Sequence, residues 1–346
     1  MVSLQALRSR MLQAGQRIFH AGARLAPAGA VQVAPAGAVQ ANGDARVHVP
    51  LLSAADIAAL SAQAAGLARA PVRREVHDHH AGDWPSARLG RGLDFEEARP
   101  YSVGDDLRDM DWRITARLGH PYVKTYREER QPVLHVVVDR GPAMRFGTRR
   151  RLKVAQAARV AALAAFAAAE RNAAVGATLW DVRDLDLPPR HARSGILELV
   201  QAVAAPCPPL QEEAAEAVHE ADRLQRLAEA LPRGARLLLV SDFAWLAAAH
   251  EMPLAHLAEH ADLTAIRISD PVERELPDVG LARFQDMHGG GIVWVDTGTA
   301  AARALHAAEF AKRRANIDSV LRRAGVACLD IGCETDDLVH ALQGHV

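Results

Sequence analysis

The sequence predicts an α/β domain over residues 133–346, with a doubly wound, mostly parallel sheet, preceded by a charged clasp and a flexible N-terminal arm. Three observations carry this expectation. Short apolar runs alternate with helically spaced segments over about two hundred residues, the pattern of a parallel sheet with right-handed crossovers. The first run, LHVVVD at 134–139, is almost wholly apolar, as in a strand buried on both faces. The runs at 134–139, 235–242 and 262–270 all end on an aspartate.

Taken in order, residues 1–24 are basic and contain no acid, and they read as a weakly amphipathic helix, since the apolar stretch is too short and polar for a secretory signal. APAGAVQ occurs at 26–32 and again at 34–40, a Pro/Gly linker signal. Residues 53–69 open on a serine cap and continue with Ala-rich helical spacing, a short helix that must dock to be stable. His77, His79 and His80 lie in a polar stretch read as a solvated loop. Within the domain, helices are expected at 149–171, 194–203, 212–231, 254–260 and 299–324. Strands are expected at 134–139, 175–181, 235–242, 262–270 and 325–332, with a further strand or hairpin arm at 292–296. The long helix at 149–171 is apolar almost all round, which places it inside. The chain thus divides into an arm (1–70), a charged and aromatic segment (71–132) and the α/β domain (133–346).

Composition narrows the function. Lys plus Arg is 41 against 42 Asp plus Glu, so no global field steers nucleic acid, and nucleic acid is not an expected partner. Aromatics are 4%, which disfavours an aromatic-lined ligand pocket. Cys207, Cys328 and Cys333 are too few and too scattered for a disulfide framework; Cys328 and Cys333 read as buried small residues, and the expected compartment is the cytoplasm. No transmembrane helix is expected. The chain contains neither GxGxxG nor GxxxxGK[ST] after any strand, and no GxSxG elbow, so no catalytic constellation is expected.

The densest feature is residues 91–130, with nine acids, eight Lys or Arg, and all three tyrosines of the chain. Such a mixture reads either as a docking surface or as a structural clasp, held by ion pairs over aromatic anchors. Its residues Phe95-Glu96, Arg99-Pro100-Tyr101, Gly104-Asp105-Asp106, Arg108, Asp111-Trp112, Ala116-Arg117, Lys124 and Glu128-Glu129-Arg130 resemble the signature of the bacterial "domain of unknown function 58" family. The block leads into VLHVVVDRGPAMRFGT, Lys153 and an Ala-rich helix, as in that family. The resemblance implies a von Willebrand factor A-like domain and an accessory, chaperone-like role beside a MoxR-type AAA+ ATPase acting on a client protein, without established catalysis. Arg99, Tyr101, Asp105, Asp106, Arg108, Asp111, Trp112 and Arg117 are the expected partner-binding residues of the block, joined by Arg140, Arg145 and Phe146 on an expected exposed turn.

Ligands in open α/β sheets bind beyond the carboxyl ends of the strands, where strand order reverses. Asp139 and Asp242 are placed there, as caps of the following turns or as ligands. In the resembled A domains a DxSxS motif holds Mg²⁺; here it reads Asp139-Arg140-Gly141-Pro142-Ala143, without either hydroxyl, while Asp242 matches the later aspartate. The expectation is a degenerate Mg²⁺ site, with no other cofactor. The alternative to the adaptor is a Mg²⁺-dependent hydrolase using Asp139 and Asp242.

Overall fold

The computed structural model describes residues 26–27, 49–70, 94–102, 105–127, 132–191, 193–208, 220–285 and 292–346. They fall in two compact units, one comprising residues 1–74 and 132–346, the other 75–131. The basic segment 1–24, the second APAGAVQ and the three histidines 77, 79 and 80 lie outside the described residues.

In the larger unit, β1 (Ala26–Pro27) is followed by α1 (Ala54–Arg69), which opens on a reciprocal cap: the Ser53 hydroxyl accepts from the Asp56 N–H, and the Asp56 carboxylate accepts from the Ser53 N–H. The smaller unit holds β2 (Asp94–Pro100), α2 (Trp112–Leu118) and β3 (Tyr122–Arg127), with β2 and β3 paired antiparallel.

The larger unit resumes with β4 (Val133–Asp139), α3 (Lys153–Glu170), β5 (Ala174–Trp180), β6 (Leu185–Arg190), α4 (Arg193–Ala204) and α5 (Glu220–Ala230). Then come β7 (Arg236–Ser241), α6 (Glu251–His260), β8 (Asp262–Ser269), α7 (Pro271–Arg274), β9 (Leu281–Gln285), β10 (Ile292–Asp296), α8 (Ala300–Arg323), β11 (Ala327–Gly332) and α9 (Leu338–Leu342). Six strands form one sheet in the order β11-β8-β7-β4-β5-β6, all parallel except the edge strand β6. The fold is therefore the expected α/β class with a mostly parallel central sheet. One face is covered by α3 and α4, the other by α5, α6 and α8, and each face has its own apolar cluster. The chain enters at β4 and steps outward to β5 and β6. It then crosses to β7 on the opposite side, so the reversal point lies between β4 and β7.

Thirteen of the eighteen residues of α3 are buried, because α3 packs on the sheet and is itself covered by α1 through Leu60, Ala64 and Leu67. Alanines permit that close approach on two sides. Arg171, just past α3, donates to the carbonyls of Leu67, Ala68 and Ala70, which satisfies the otherwise orphaned C-terminal acceptors of α1.

Several elements differ from expectation. The helix expected from 149 begins at Lys153, because Gly147 lies against the backbone of Arg151 and Leu152, and 147–152 form a tight turn. The helix expected at 212–231 is described only as 220–230, since 209–219 lie outside the described residues. β6 was not expected, because Leu-Asp-Leu-Pro-Pro-Arg carries two prolines; an edge strand tolerates them. Residues 292–296 are the arm of a hairpin with β9, separate from the main sheet. Cys333 is buried as expected, but Cys328 is exposed, because β11 is an edge strand with little covering one of its faces. Among the described residues no helix is long and apolar enough to cross a membrane.

Candidate functional site

The carboxyl ends of β4 and β7 meet at the reversal point, and the side chains there are linked by buried hydrogen bonds. Asp139 ends β4 and is 8% exposed. One of its oxygens accepts from the Gly141 N–H at 2.8 Å and the other from the Ser241 hydroxyl at 2.6 Å. Ser241 in turn accepts from the Phe243 N–H at 2.9 Å and from the Trp245 indole at 3.1 Å, so both its lone pairs and its proton are used. Burial, then the charge of Asp242, pushes the Asp139 carboxyl up to about 6.

Asp242 follows β7 and accepts from the Ala244 N–H, while its second oxygen lies 2.7 Å from Lys153 Nζ. Lys153 is 1% exposed and also reaches Glu273 Oε1, at 2.5 Å; Phe146 lies beneath it, with 5.9 Å between Nζ and the ring centroid. Burial alone would favour neutral lysine, but the Asp242 and Glu273 carboxylates outweigh it and hold the ammonium above its ordinary range. Burial raises Glu273, against the opposing pull of Lys153.

The backbone beside this pair is strained. Phe243 has φ of 57°, in the left-handed region that a bulky side chain seldom adopts, and it is fully buried. Its N–H bond to Ser241 and its burial in the apolar cluster hold it there, at a cost on the order of 1–3 kcal/mol.

Asp270, after β8, is a cap: it accepts from the Val272 N–H and from both the N–H and hydroxyl of Thr148. Asp181, after β5, lies 3.1 Å from Arg140 Nε and 2.9 Å from Arg145. Arg140 also donates to the carbonyls of Ala202, Ala205 and Pro206. The turn at Arg140, Arg145 and Phe146, expected to be exposed, is instead packed: Arg140 is 4% and Phe146 9% exposed, because Asp181 and the end of α4 draw the guanidinium groups inward.

A Mg²⁺ ion does not fit these residues. Gly141 and Ala143 offer no oxygen ligand, and a Cβ at 141 would sit 3.0 Å from Asp139 Oδ1. Both Asp139 oxygens already accept hydrogen bonds, and Asp242 holds an ammonium. Among the described residues no group of three His, Cys, Asp or Glu side chains is placed to bind a metal.

In the smaller unit, Arg99 grips Asp105 through two hydrogen bonds, at 2.6 and 2.9 Å. Asp106 accepts from the Arg108 N–H, and Asp111 caps α2 through the N–H groups of Arg113 and Ile114. Thr115 accepts from the Tyr122 N–H, tying α2 to β3, and Tyr101 donates its N–H to Pro121. Among the described residues, Asp106 and Asp111 thus serve the backbone, while Asp105 also pairs with Arg99. Trp112 is 68% exposed, not an anchor, and Leu107 and Leu118 of the same stretch are also exposed. Arg108, Arg113 and Arg117 are exposed, and their side chains make no hydrogen bond or ion pair among the described residues.

Sequence reasoning found Asp139, Asp242 and Asp270 but missed Asp181, although its strand also ends on an aspartate. It gave no role to Lys153 or Glu273, because local patterning does not show that a lysine opening an Ala-rich helix points inward.

A family model described as "Protein of unknown function DUF58" matches residues 97–316. Uncharacterized proteins of Mycobacterium bovis and Mycobacterium tuberculosis are 30% identical over 274 residues, covering 75% of this chain and 80% of each of theirs. A conserved hypothetical protein, BatB, from Bacteroides thetaiotaomicron overlays at 10% identity with a TM-score of 0.42, over 62% of this chain and 96% of that one. A likeness at that score supports no inference.

Proposed function

The chain belongs to the DUF58 family, and from that premise we propose that it is a non-enzymatic accessory protein that docks a MoxR-type AAA+ ATPase and helps assemble or activate a client complex. Its α/β unit is read as von Willebrand factor A-like, on the resemblance of residues 95–130 and the run that follows them. The six-stranded, mostly parallel sheet with helices on both faces supports that reading.

The observation that carries the proposal is the outer face of α2 and the turn before it. Trp112, Leu107 and Leu118 lie exposed among Arg108, Arg113 and Arg117. Trp and Arg are the residue types that dominate binding hot spots, and exposing such a cluster costs a protein that has no partner to cover it. The carboxylates at the sheet's end point the same way. Asp139, Asp181, Asp242 and Asp270 are all engaged by internal donors, which leaves no nucleophile poised for the hydrolase alternative.

The test is binding of a purified MoxR-type AAA+ ATPase from the same source, measured with ATP, with ADP and without nucleotide. Wild type is expected to bind in at least one state, and the Arg113→Glu/Arg117→Glu variant to bind at least tenfold more weakly. Absence of binding in every nucleotide state overturns the proposal.

A further inference from the structure

The crevice between β4 and β7 poses a charge problem. Asp242 and Glu273 meet there on Lys153, and Asp139 ends the neighbouring strand, its carboxyl raised by its own burial and then by the charge of Asp242. Lys153 Nζ bridges Asp242 and Glu273 from inside, and Arg313 of α8 adds a second positive charge that acts on the same two carboxylates. Buried carboxylates without a counter-charge are strongly disfavoured. In α/β folds this position beyond the strand ends is where a ligand or ion is usually bound.

We propose that Lys153 is the resident cation of this crevice, a covalently attached ammonium standing where a divalent ion would otherwise be held, and that the crevice therefore takes no metal. Three features support it. Lys153 heads the largest fully buried side chains of the protein, an unusual place for a lysine. It sits at the first residue of α3, so it enters the crevice from the helix start while the alanines behind it pack on the sheet. Finally, Nζ lies 5.9 Å from the centroid of the Phe146 ring and donates to both carboxylates. A consequence follows for partner recognition. A partner carboxylate has no open metal coordination position to bind here.

The inference predicts that removing the ammonium creates a divalent-cation site. In Lys153→Ser, Asp242 and Glu273 lose the ammonium between them and each keeps one freed carboxylate oxygen beside the space it leaves, which Mn²⁺ and water can fill. Arg313 remains and weakens binding, so Mn²⁺ is the probe and electron paramagnetic resonance the readout. Wild type is expected to bind no Mn²⁺ and to melt at the same temperature with or without it. Lys153→Ser is expected to melt lower, to bind one Mn²⁺ per chain and to regain part of the lost melting temperature when the ion is added. Mn²⁺ binding by wild type that is lost in Asp242→Asn overturns the proposal, as does a folded Lys153→Ser that neither binds nor is stabilised by Mn²⁺. If Lys153→Ser does not fold, Lys153→Met/Asp242→Asn/Glu273→Gln, which removes the need for any cation, is expected to recover folding. Failure of that triple variant to improve on Lys153→Ser also overturns it.

Discussion

His135 and Asp139 lie on the same face of β4 and titrate in opposite senses. His135 is 5% exposed and bonds through Nε2 to Thr178 Oγ1 at 2.9 Å, while the Thr178 hydroxyl donates to Asp186. The single Thr178 proton is thereby used, so His135 Nε2 carries the hydrogen and the ring is neutral. Burial, against the opposing charge of Asp186, brings the imidazole down to about 4. The unfolded chain, with its histidine near 6.5, binds that proton more readily between pH 6.5 and 4, so His135 makes stability fall as pH drops through this window. Asp139 rises from 3.8 to about 6 on folding; there the native state binds the proton more readily, and stability falls as pH rises through that window. The two contributions nearly cancel in wild type between pH 4.5 and 6; in His135→Gln the His135 share, on the order of 2 kcal/mol, is expected to vanish, leaving stability that falls as pH rises through that range. Urea unfolding across pH 4.5–7 checks this; an unchanged slope rules out His135 as the titrating group. Lys153→Met removes the ammonium that bridges Asp242 and Glu273 and leaves only Arg313 to offset them, and a loss of about 3–5 kcal/mol is expected in the same assay. None of these partners adjoins in sequence: Thr178 is 43 residues from His135, and Asp242 is 89 from Lys153, so residue type was readable while its duty was not.

At the scale of the element, α1 depends on tertiary contact. Its sequence specified the start precisely enough to read, since Ser53 and Asp56 form the cap that the pattern announced. What it docks on came from packing: Leu67 is fully buried against α3, and Arg171 holds the helix end. Leu67→Ala is expected to cost about 2–5 kcal/mol and to release amide protons of residues 54–69 to exchange before the rest of the domain opens. Fast exchange confined elsewhere would count against the docking account. β6 shows the opposite case, an element that its own residues discourage. Gly176 of β5 lies beneath its irregular pairing, and a Cβ there would stand 2.8 Å from Leu187 O, 2.9 Å from His135 Nδ1 and 2.9 Å from Pro189 N. Gly176→Ala is therefore expected to detach the edge strand, lowering the melting temperature without altering the parallel core; a variant as stable as wild type would show that the pairing yields easily.

At the scale of the whole molecule, stability and recognition are expected to separate. The Trp112 side chain is mostly in solvent, so Trp112→Ala should change stability by no more than about 0.5 kcal/mol while weakening ATPase binding. Equal losses in both measurements would mean that Trp112 serves the fold. The aromatic and charged composition of residues 91–130 marked the segment as special. Only the structure showed that its described acids cap turns and one helix while three of its arginines face outward.

The sequence by itself determined the fold class, the succession of buried strands and helices, the aspartates at the strand ends and the family. These are recorded in apolar periodicity and local capping, which act between near neighbours along the chain. Tertiary structure alone decided that Lys153 answers Asp242 and Glu273, that Arg140 turns inward to Asp181 and that Trp112 stays in solvent. The physical reason is that a buried charge is tolerated only with a counter-charge close in space, and folding brings that partner from distant parts of the chain.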